Sequence, residues 1–581
     1  MASERPGASA AGEAATTAHV HSDQSLILRI QTDYQKYERE LEAADQQDRA
    51  EEERVRRARR RVRFTVVVAI ALVLAVVGAI FMLLVRDAAT ANGVVVEPFR
   101  APPDLAARGV DGTFLARALL DECTRLRFAT HAQEVAHGMA TPWDHGSRLE
   151  APLAGFSIEH VARALRIRYG HEMRITGELI ESAADGSLQL TVRAEGLPAR
   201  SFSGPADGIA PLVRSAAEYV YGQSAPGLWA LHLSSDGRYA ETLQFARSAL
   251  PASDKSDKPY LLMASGLATE PTGGSSQEAR AFYRAALRAK PDYWDAWVNV
   301  QTASINLGDE QGAWSAGEEM RAAAAGRPGK APAAAFQPWD LLTWNLQALL
   351  KSVLEEPTAA PGSWQGSTGL TVADLHARLH DLPAAEASLA GGKEDAAASL
   401  LHARIAVEAG EIARGAALIT TYDAANGGAG AATDAGSLNC WIALAEEAAG
   451  HPERADALLL SAGTFVDCYR FRADILDGRG DWAGARKAYG AAVALARDLP
   501  AAYYSWGVAL MRHGELAAAE ERLASAAKRG PHWADPLKAW GDLLMKQGKA
   551  REALGRYDEA LKYAPHWTAL SEARAAAAQQ G

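Results

Sequence analysis

Few side chains in this 581-residue sequence stand at spacings that could support chemistry. His160, His171 and Glu172 are metal-ligand types. Glu172 directly follows His171, however, and no second histidine sits one helical turn further on, so the set does not converge on an ion. Three cysteines are too few for a disulfide scaffold or a four-cysteine zinc site. There is no phosphate-cradling G-x-x-x-x-G-K-[ST], no G-x-G-x-x-G after a strand, and no H-E-x-x-H, G-x-S-x-G or C-x-x-C. The expectation is a non-enzyme with no catalytic residue, cofactor or metal. A formal charge of −11 argues against nucleic acid as a partner.

With catalysis set aside, the elements carry the information. Residues 64–85 (FTVVVAIALVLAVVGAIFMLLV) hold no charged or strongly polar side chain, and as a helix they would span about 33 Å, enough to cross a hydrocarbon core. Seven arginines lie just before this run (Arg54, Arg56, Arg57, Arg59, Arg60, Arg61 and Arg63), against only Arg86 after it. The positive-inside rule then keeps residues 1–63 in the cytoplasm and places the rest across a bacterial inner membrane, in the periplasm. A cleavable signal peptide competes, since Ala89-Thr90-Ala91 resembles a cleavage site, but the leader and the apolar run are both too long for one. Residues 1–63 carry 12 basic and 12 acidic side chains, so the whole negative balance lies beyond the membrane.

Before the membrane, residues 1–24 lack apolar periodicity and read as a disordered tail. Residues 25–63 read as an amphipathic helix. Ile27, Ile30, Tyr34, Tyr37, Leu41 and Ala44 alternate spacings of three and four, a short coiled-coil seam that would support a homodimer through residues 25–45. Asp48 and Glu51 end the seam early, and a solvated helix is the alternative.

After the membrane, residues 92–225 read as a small α/β (α+β) module: a strand at Val94–Val96, helices near 112–126 and 157–169, a hairpin of Ile175–Glu181 with Leu188–Ala194 across Asp185-Gly186, and a closing helix near 205–221. VVVEPF and the helix after it are similar to the opening of TolB amino-terminal-like domains, a short resemblance that carries over no catalytic residue.

Beyond this module the chain repeats. Pro531-His532-Trp533 returns as Pro565-His566-Trp567. At the same offset Trp506, Gly507, Leu510, Met511, Gly514, Ala519 and Ala526 return as Trp540, Gly541, Leu544, Met545, Gly548, Ala553 and Ala560. This pattern, at an interval of about 34 residues, resembles the tetratricopeptide repeat (TPR), a helix–turn–helix unit. Weaker copies run upstream through Gly480, Gly450 and Gly410, and further back through Gly308 and Gly237. The expectation is a TPR-like arm at 226–321, an irregular connector at 322–370 containing one amphipathic helix (PWDLLTWNLQALLKSVLEE), and a TPR solenoid at 371–578. The fold class is thus mainly α: a single transmembrane helix, the small module, then an α-solenoid of helical hairpins in two arms.

In TPR proteins the first helix of each repeat lines the concave face. The resemblance therefore implies a partner groove at Arg470, Asp474, Tyr504, Val508, Met511, Lys538, Asp542 and Met545, suited to an extended peptide or a partner helix. Arg470–Asp474 and Lys538–Asp542 are also i,i+4 pairs of the kind that decorate a solvated face. Trp229, Trp297, Trp506 and Trp540 fall at packing positions. Cys440 and Cys468 begin first helices of consecutive repeats, but helix axes about 8–10 Å apart exceed disulfide reach, and two buried free thiols are expected. The function implied is a membrane-anchored protein–protein interaction scaffold or assembly factor. The alternative is transmembrane signalling to the cytoplasmic helix.

Overall fold

The computed structural model describes residues 36, 65–90, 93–137, 143, 147–149, 158–169, 171–182, 184–326, 331–355, 368–389, 436–461 and 463–581, with short helical pieces between 402 and 418. The tail at 1–24, the seam at 25–45 and the turn expected at Gly410 lie outside the described residues. The chain separates into two compact units, one holding residues to Asn92 with Pro152–Glu172, the other Gly93–Ala151 with Met173–Gly581.

In the first unit, α1 (Thr65–Thr90) is the one described helix long and apolar enough to cross a membrane, and none of its apolar stretch is covered by other parts of the chain. Val67, Leu72, Leu74, Met82 and Leu83 all point outward. Helix α4 (Ile158–Tyr169) is amphipathic and belongs to this unit rather than to the module in which the sequence placed it. Its Arg166 meets Asp87 at 2.8 Å.

The second unit opens with a five-stranded sheet in the order β2-β1-β3-β4-β5. Strand β1 (Val94–Val96) is fully buried between two parallel neighbours, β2 (Ser147–Leu149) and β3 (Met173–Glu181), as its unbroken valine run requires. Strand β4 (Leu188–Ala194) pairs antiparallel with β3, and β5 (Arg200–Gly204) forms the edge. β2 and β5 are additions to the expected strand set. A short α2 (Pro103–Ala107) precedes α3 (Gly112–His137), which together with α5 (Ile209–Ser224) supplies the apolar side of the core: Leu115, Leu119 and Leu126 from one, Val213, Ala216 and Val220 from the other. Trp229 and Leu233 from the next helix join this core, so the sheet is continuous with the array behind it.

That array is a succession of helical hairpins. The pairs are α6 (Pro226–Ser235) with α7 (Tyr239–Ala249), α8 (Lys258–Thr269) with α9 (Ser276–Ala289), α10 (Trp294–Asn306) with α11 (Glu310–Ala325), α12 (Gln337–Leu342) with α13 (Leu346–Glu355), and α14 (Thr368–Arg378) with α15 (Leu382–Leu389). After the incompletely described stretch come α16 (Gly436–Ala448) with α17 (Pro452–Ser461), α18 (Val466–Gly478) with α19 (Trp482–Leu495), α20 (Ala501–Arg512) with α21 (Leu516–Arg529), and α22 (Ala534–Lys546) with α23 (Ala550–Leu561). A single α24 (Thr568–Gln580) ends the array.

The same device closes every described turn. A left-handed residue follows the first helix, and the next amide reaches back to a carbonyl in the last turn of that helix: Arg238 to Leu233, Gly274 to Thr269, Asp309 to Ser304, Asn345 to Asp340, Asp381 to His376, His451 to Glu446, Asp481 to Leu476, Glu515 to Leu510 and Lys549 to Leu544. Glycine holds the left-handed place at 237, 273, 308, 450, 480, 514 and 548, while Trp344 (φ 58°) and His380 (φ 59°) hold it at the other two turns.

This corrects the expected connector. The segment read as one amphipathic helix is broken at Thr343–Asn345 into α12 and α13, and the region continues the hairpin succession instead of interrupting it. The turns follow one another at near-equal intervals from Gly237 through Gly273, Gly308 and Trp344 to His380. No glycine marks the last two, which is why the sequence pattern lost its register there.

Candidate functional site

The first helices α16, α18 and α20 lie side by side and leave a concave site of about 710 Å³. Small residues bring the helices of each hairpin together. A Cβ at Gly507 would stand 2.8 Å from the Leu523 side chain, and one at Gly541 would stand 2.4 Å from the Tyr557 ring. Tight closure of each hairpin leaves its first helix free to turn one face outward.

The site is lined by Leu444, Phe471, Tyr504 and Val508 on its apolar part and by Arg470, Asp474, Asp477, Ser505, Arg512 and His513 on its polar part. Four of the eight residues implied by the repeat resemblance, Arg470, Asp474, Tyr504 and Val508, thus surround one cavity. Met511, Lys538, Asp542 and Met545 are half-buried on α20 and α22 and do not line it. Leu444, Phe471, Asp477, Arg512 and His513 were not foreseen. Asp477 occupies the place that Met511 and Met545 hold in the next two repeats, a signal the sequence did contain.

The polar side chains are organised before anything binds. Arg470 bonds to Asp467 and to the Ser505 hydroxyl of the next first helix, with its guanidinium 4.2 Å from the Phe471 ring centre. Asp474 accepts the Tyr489 hydroxyl, and burial raises its carboxyl above the ordinary range against the pull of Arg470 and that hydrogen bond. Burial would raise Asp477 too, but hydrogen bonds from His513 (2.5 Å) and Arg512 (2.7 Å) override it and hold its carboxyl below the usual range. The His513 ring stacks on Trp482 at 4.0 Å. The cavity therefore offers an apolar floor with fixed donors at Arg470 and Arg512.

One repeat on, Lys538 donates to Asp542 at 2.8 Å and lies over the Trp567 ring, and Tyr557 donates to the other Asp542 oxygen. Both carboxylates named from the sequence, Asp474 and Asp542, are thus engaged by a tyrosine of their own hairpin, which the view of a freely presented groove did not anticipate. Trp229 and Trp297 are buried. Trp506 and Trp540 are half-buried beneath Arg522 and Arg556, at 4.3 and 3.8 Å. Among the described residues no group of three or more His, Cys, Asp or Glu is placed to hold a metal ion.

The cysteines overturn the expectation of free thiols. Cys440 and Cys468 have Cα atoms 4.8 Å apart and are joined as a disulfide, while Cys123 is buried and free. The interaxial distance of about 8–10 Å describes helix cylinders, and cysteines that face each other across two adjacent helices stand much closer than their axes. The bond ties α16 to α18, one turn from Leu444 and just before Arg470.

The array is TPR-like. The chain is similar to the APC/C hetero-tetramer Cut9–Hcn1 (12% identity, TM-score 0.29, covering 64% of this chain and 86% of that one). It is similar to yeast Tom70 (14% identity, TM-score 0.23, 62% and 96%) and to YrrB, described as a TPR protein with an unusual peptide-binding site (19% identity, TM-score 0.21, 33% and 97%). No family model matches the chain. No curated protein matches it.

Proposed function

We propose that this chain is a membrane-anchored interaction scaffold whose solenoid captures a protein partner through the cavity on α16, α18 and α20. The observation that carries this reading is the cavity itself: an apolar floor beside cations already positioned by Asp467, Ser505 and Asp477, on a helix face that no second helix covers among the described residues. Such a surface suits an extended segment that inserts an apolar side chain and presents an acceptor to Arg470 or Arg512. A tether raises the local concentration of the solenoid near a membrane-bound partner.

The same reading places the solenoid in the periplasm. The arginine-rich flank before α1 supports an amino terminus in the cytoplasm, and the Cys440–Cys468 bond fits an oxidising compartment. The test is affinity capture of envelope proteins on the full chain, compared with an Arg470→Glu/Arg512→Glu variant. A partner held by the native chain and lost from the variant is expected; identical capture by both would discard the cavity as the binding site.

A further inference from the structure

The two turns that lack glycine share a second peculiarity. Trp344 stacks on Trp533 with ring centres 4.1 Å apart and planes 18° from parallel, and His380 stacks on Trp567 at 3.6 Å and 9°. Trp533 and Trp567 belong to the two Pro-His-Trp loops, the first joining one hairpin to the next and the second joining the last hairpin to α24. Two successive turns of the array therefore meet two successive loops near its far end, with α13 to α21 intervening in the chain between Trp344 and Trp533. Around these stacks Arg378 lies over the Trp344 ring, Tyr504 packs against Trp533, and His380 Nε2 meets Asp535 Oδ1 at 3.1 Å. Gln347 donates to the carbonyls of Lys562 and Tyr563.

The contact is specific and incompletely satisfied. Left-handed backbone is unfavourable for tryptophan and histidine, so both turns hold a strain that the seven glycine turns avoid. Trp533 is buried with no acceptor for its indole N–H among the described residues, and the second carboxylate oxygen of Asp535 is likewise buried without a donor. Two of these features are relieved when turn and loop separate, since both polar atoms gain water while the turns keep their closing bonds.

We propose that Trp344 and His380 form a reversible clasp, docking two hairpin turns on the Pro-His-Trp loops and releasing them as a local opening while the hairpins themselves stay folded. Glycine is what the other turns use, so Trp344→Gly with His380→Gly removes the rings and spares the turns. The measurement is amide hydrogen exchange of the full-length chain in lipid nanodiscs. In the native protein, the amides of residues 532–535 and 566–568 exchange faster than α21; equal protection would mean a permanent weld and overturn the proposal. In the double glycine variant these loops exchange about tenfold faster still, the size of one lost aromatic stack, with α21 unchanged. Unchanged loops, or protection lost throughout 466–580, would each refute the clasp. Trp344→Asn with His380→Asn, which also tolerates the left-handed turn, guards against an effect of glycine flexibility alone and is expected to give the same pattern.

Discussion

Tyr489 donates its hydroxyl to Asp474 in the hairpin formed by α18 and α19, and two hairpins later Tyr557 donates to Asp542 in the same way. In the hairpin between them the same two places hold Val508 and Leu523, an apolar pair. The repeat thus admits either a tyrosine with a carboxylate or two aliphatic side chains, and the mixed combinations do not occur among these three hairpins.

Exchanging one pair for the other should therefore succeed where half the exchange fails. Tyr489→Leu alone leaves the half-buried Asp474 carboxylate without its tyrosine donor and is expected to cost about 1–3 kcal/mol. Asp474→Val made together with Tyr489→Leu reproduces the apolar pair of the next hairpin and is expected to recover most of that loss. A double-mutant cycle by chemical denaturation measures the coupling, and additive effects would contradict it.

Glu310 gives a pH dependence. Its Oε1 accepts the Val466 amide at the start of α18, its Oε2 is buried without a partner among the described residues, and burial raises its pKa to about 7 with Asp467 and Asp309 adding to the rise. The raised value means its contribution is complete below the unfolded carboxylate range, near 4.5, and is lost as pH climbs toward 7. Glu310→Gln should flatten the fall in stability over that window and stabilise the protein by about 1–2 kcal/mol at pH 8. The melting temperature of variant and native protein from pH 4.5 to 8 provides the check.

Two glycines should fail for different reasons. Gly541→Ala places a methyl against the Tyr557 ring, which Asp542 holds in place, and overpacking of this kind costs about 1–3 kcal/mol. Gly548→Ala meets no atom within 4 Å but keeps a φ of 74°, at about 1–2 kcal/mol. Gly548→Asn should be milder than Gly548→Ala, whereas Gly541→Asn should be worse than Gly541→Ala. Denaturation midpoints for the four variants decide this.

The disulfide joins cysteines with a sequence separation of 28, and its removal by Cys440→Ser with Cys468→Ser is expected to cost about 2–4 kcal/mol. Peptide mapping without reductant should recover Cys440 linked to Cys468. Reduction should loosen α16 and α18 in amide exchange before α22 is affected.

The hairpin succession was most legible where its punctuation was conventional. The recurrence of Trp506-Gly507 and Gly514 as Trp540-Gly541 and Gly548 marked both helices and the turn, because glycine is needed at close approaches and at left-handed turns. The turns at Trp344 and His380 were invisible for the converse reason: a tryptophan and a histidine hold the left-handed place, stacked on Trp533 and Trp567 of distant repeats, and no local pattern records that. The candidate cavity was half legible. Repeat register located Arg470, Asp474, Tyr504 and Val508. It could not show that Asp474 would turn to Tyr489, or that Asp477 would gather Arg512 and His513. The cysteine pair was not legible from the average spacing of helix axes, because side chains that face each other across adjacent helices stand closer than those axes.

The uniform turns also bear on how such a chain can lengthen or shorten through evolution. Nine described turns share one backbone bond, so whole hairpins could be duplicated or lost ahead of Gly308 with little repair beyond the new seams. Between Gly308 and the second Pro-His-Trp loop that freedom disappears. Gain or loss of one hairpin there would slide both rings a full step out of phase with the loops that receive them, and the reading frame of the array is in that sense locked by two aromatic side chains.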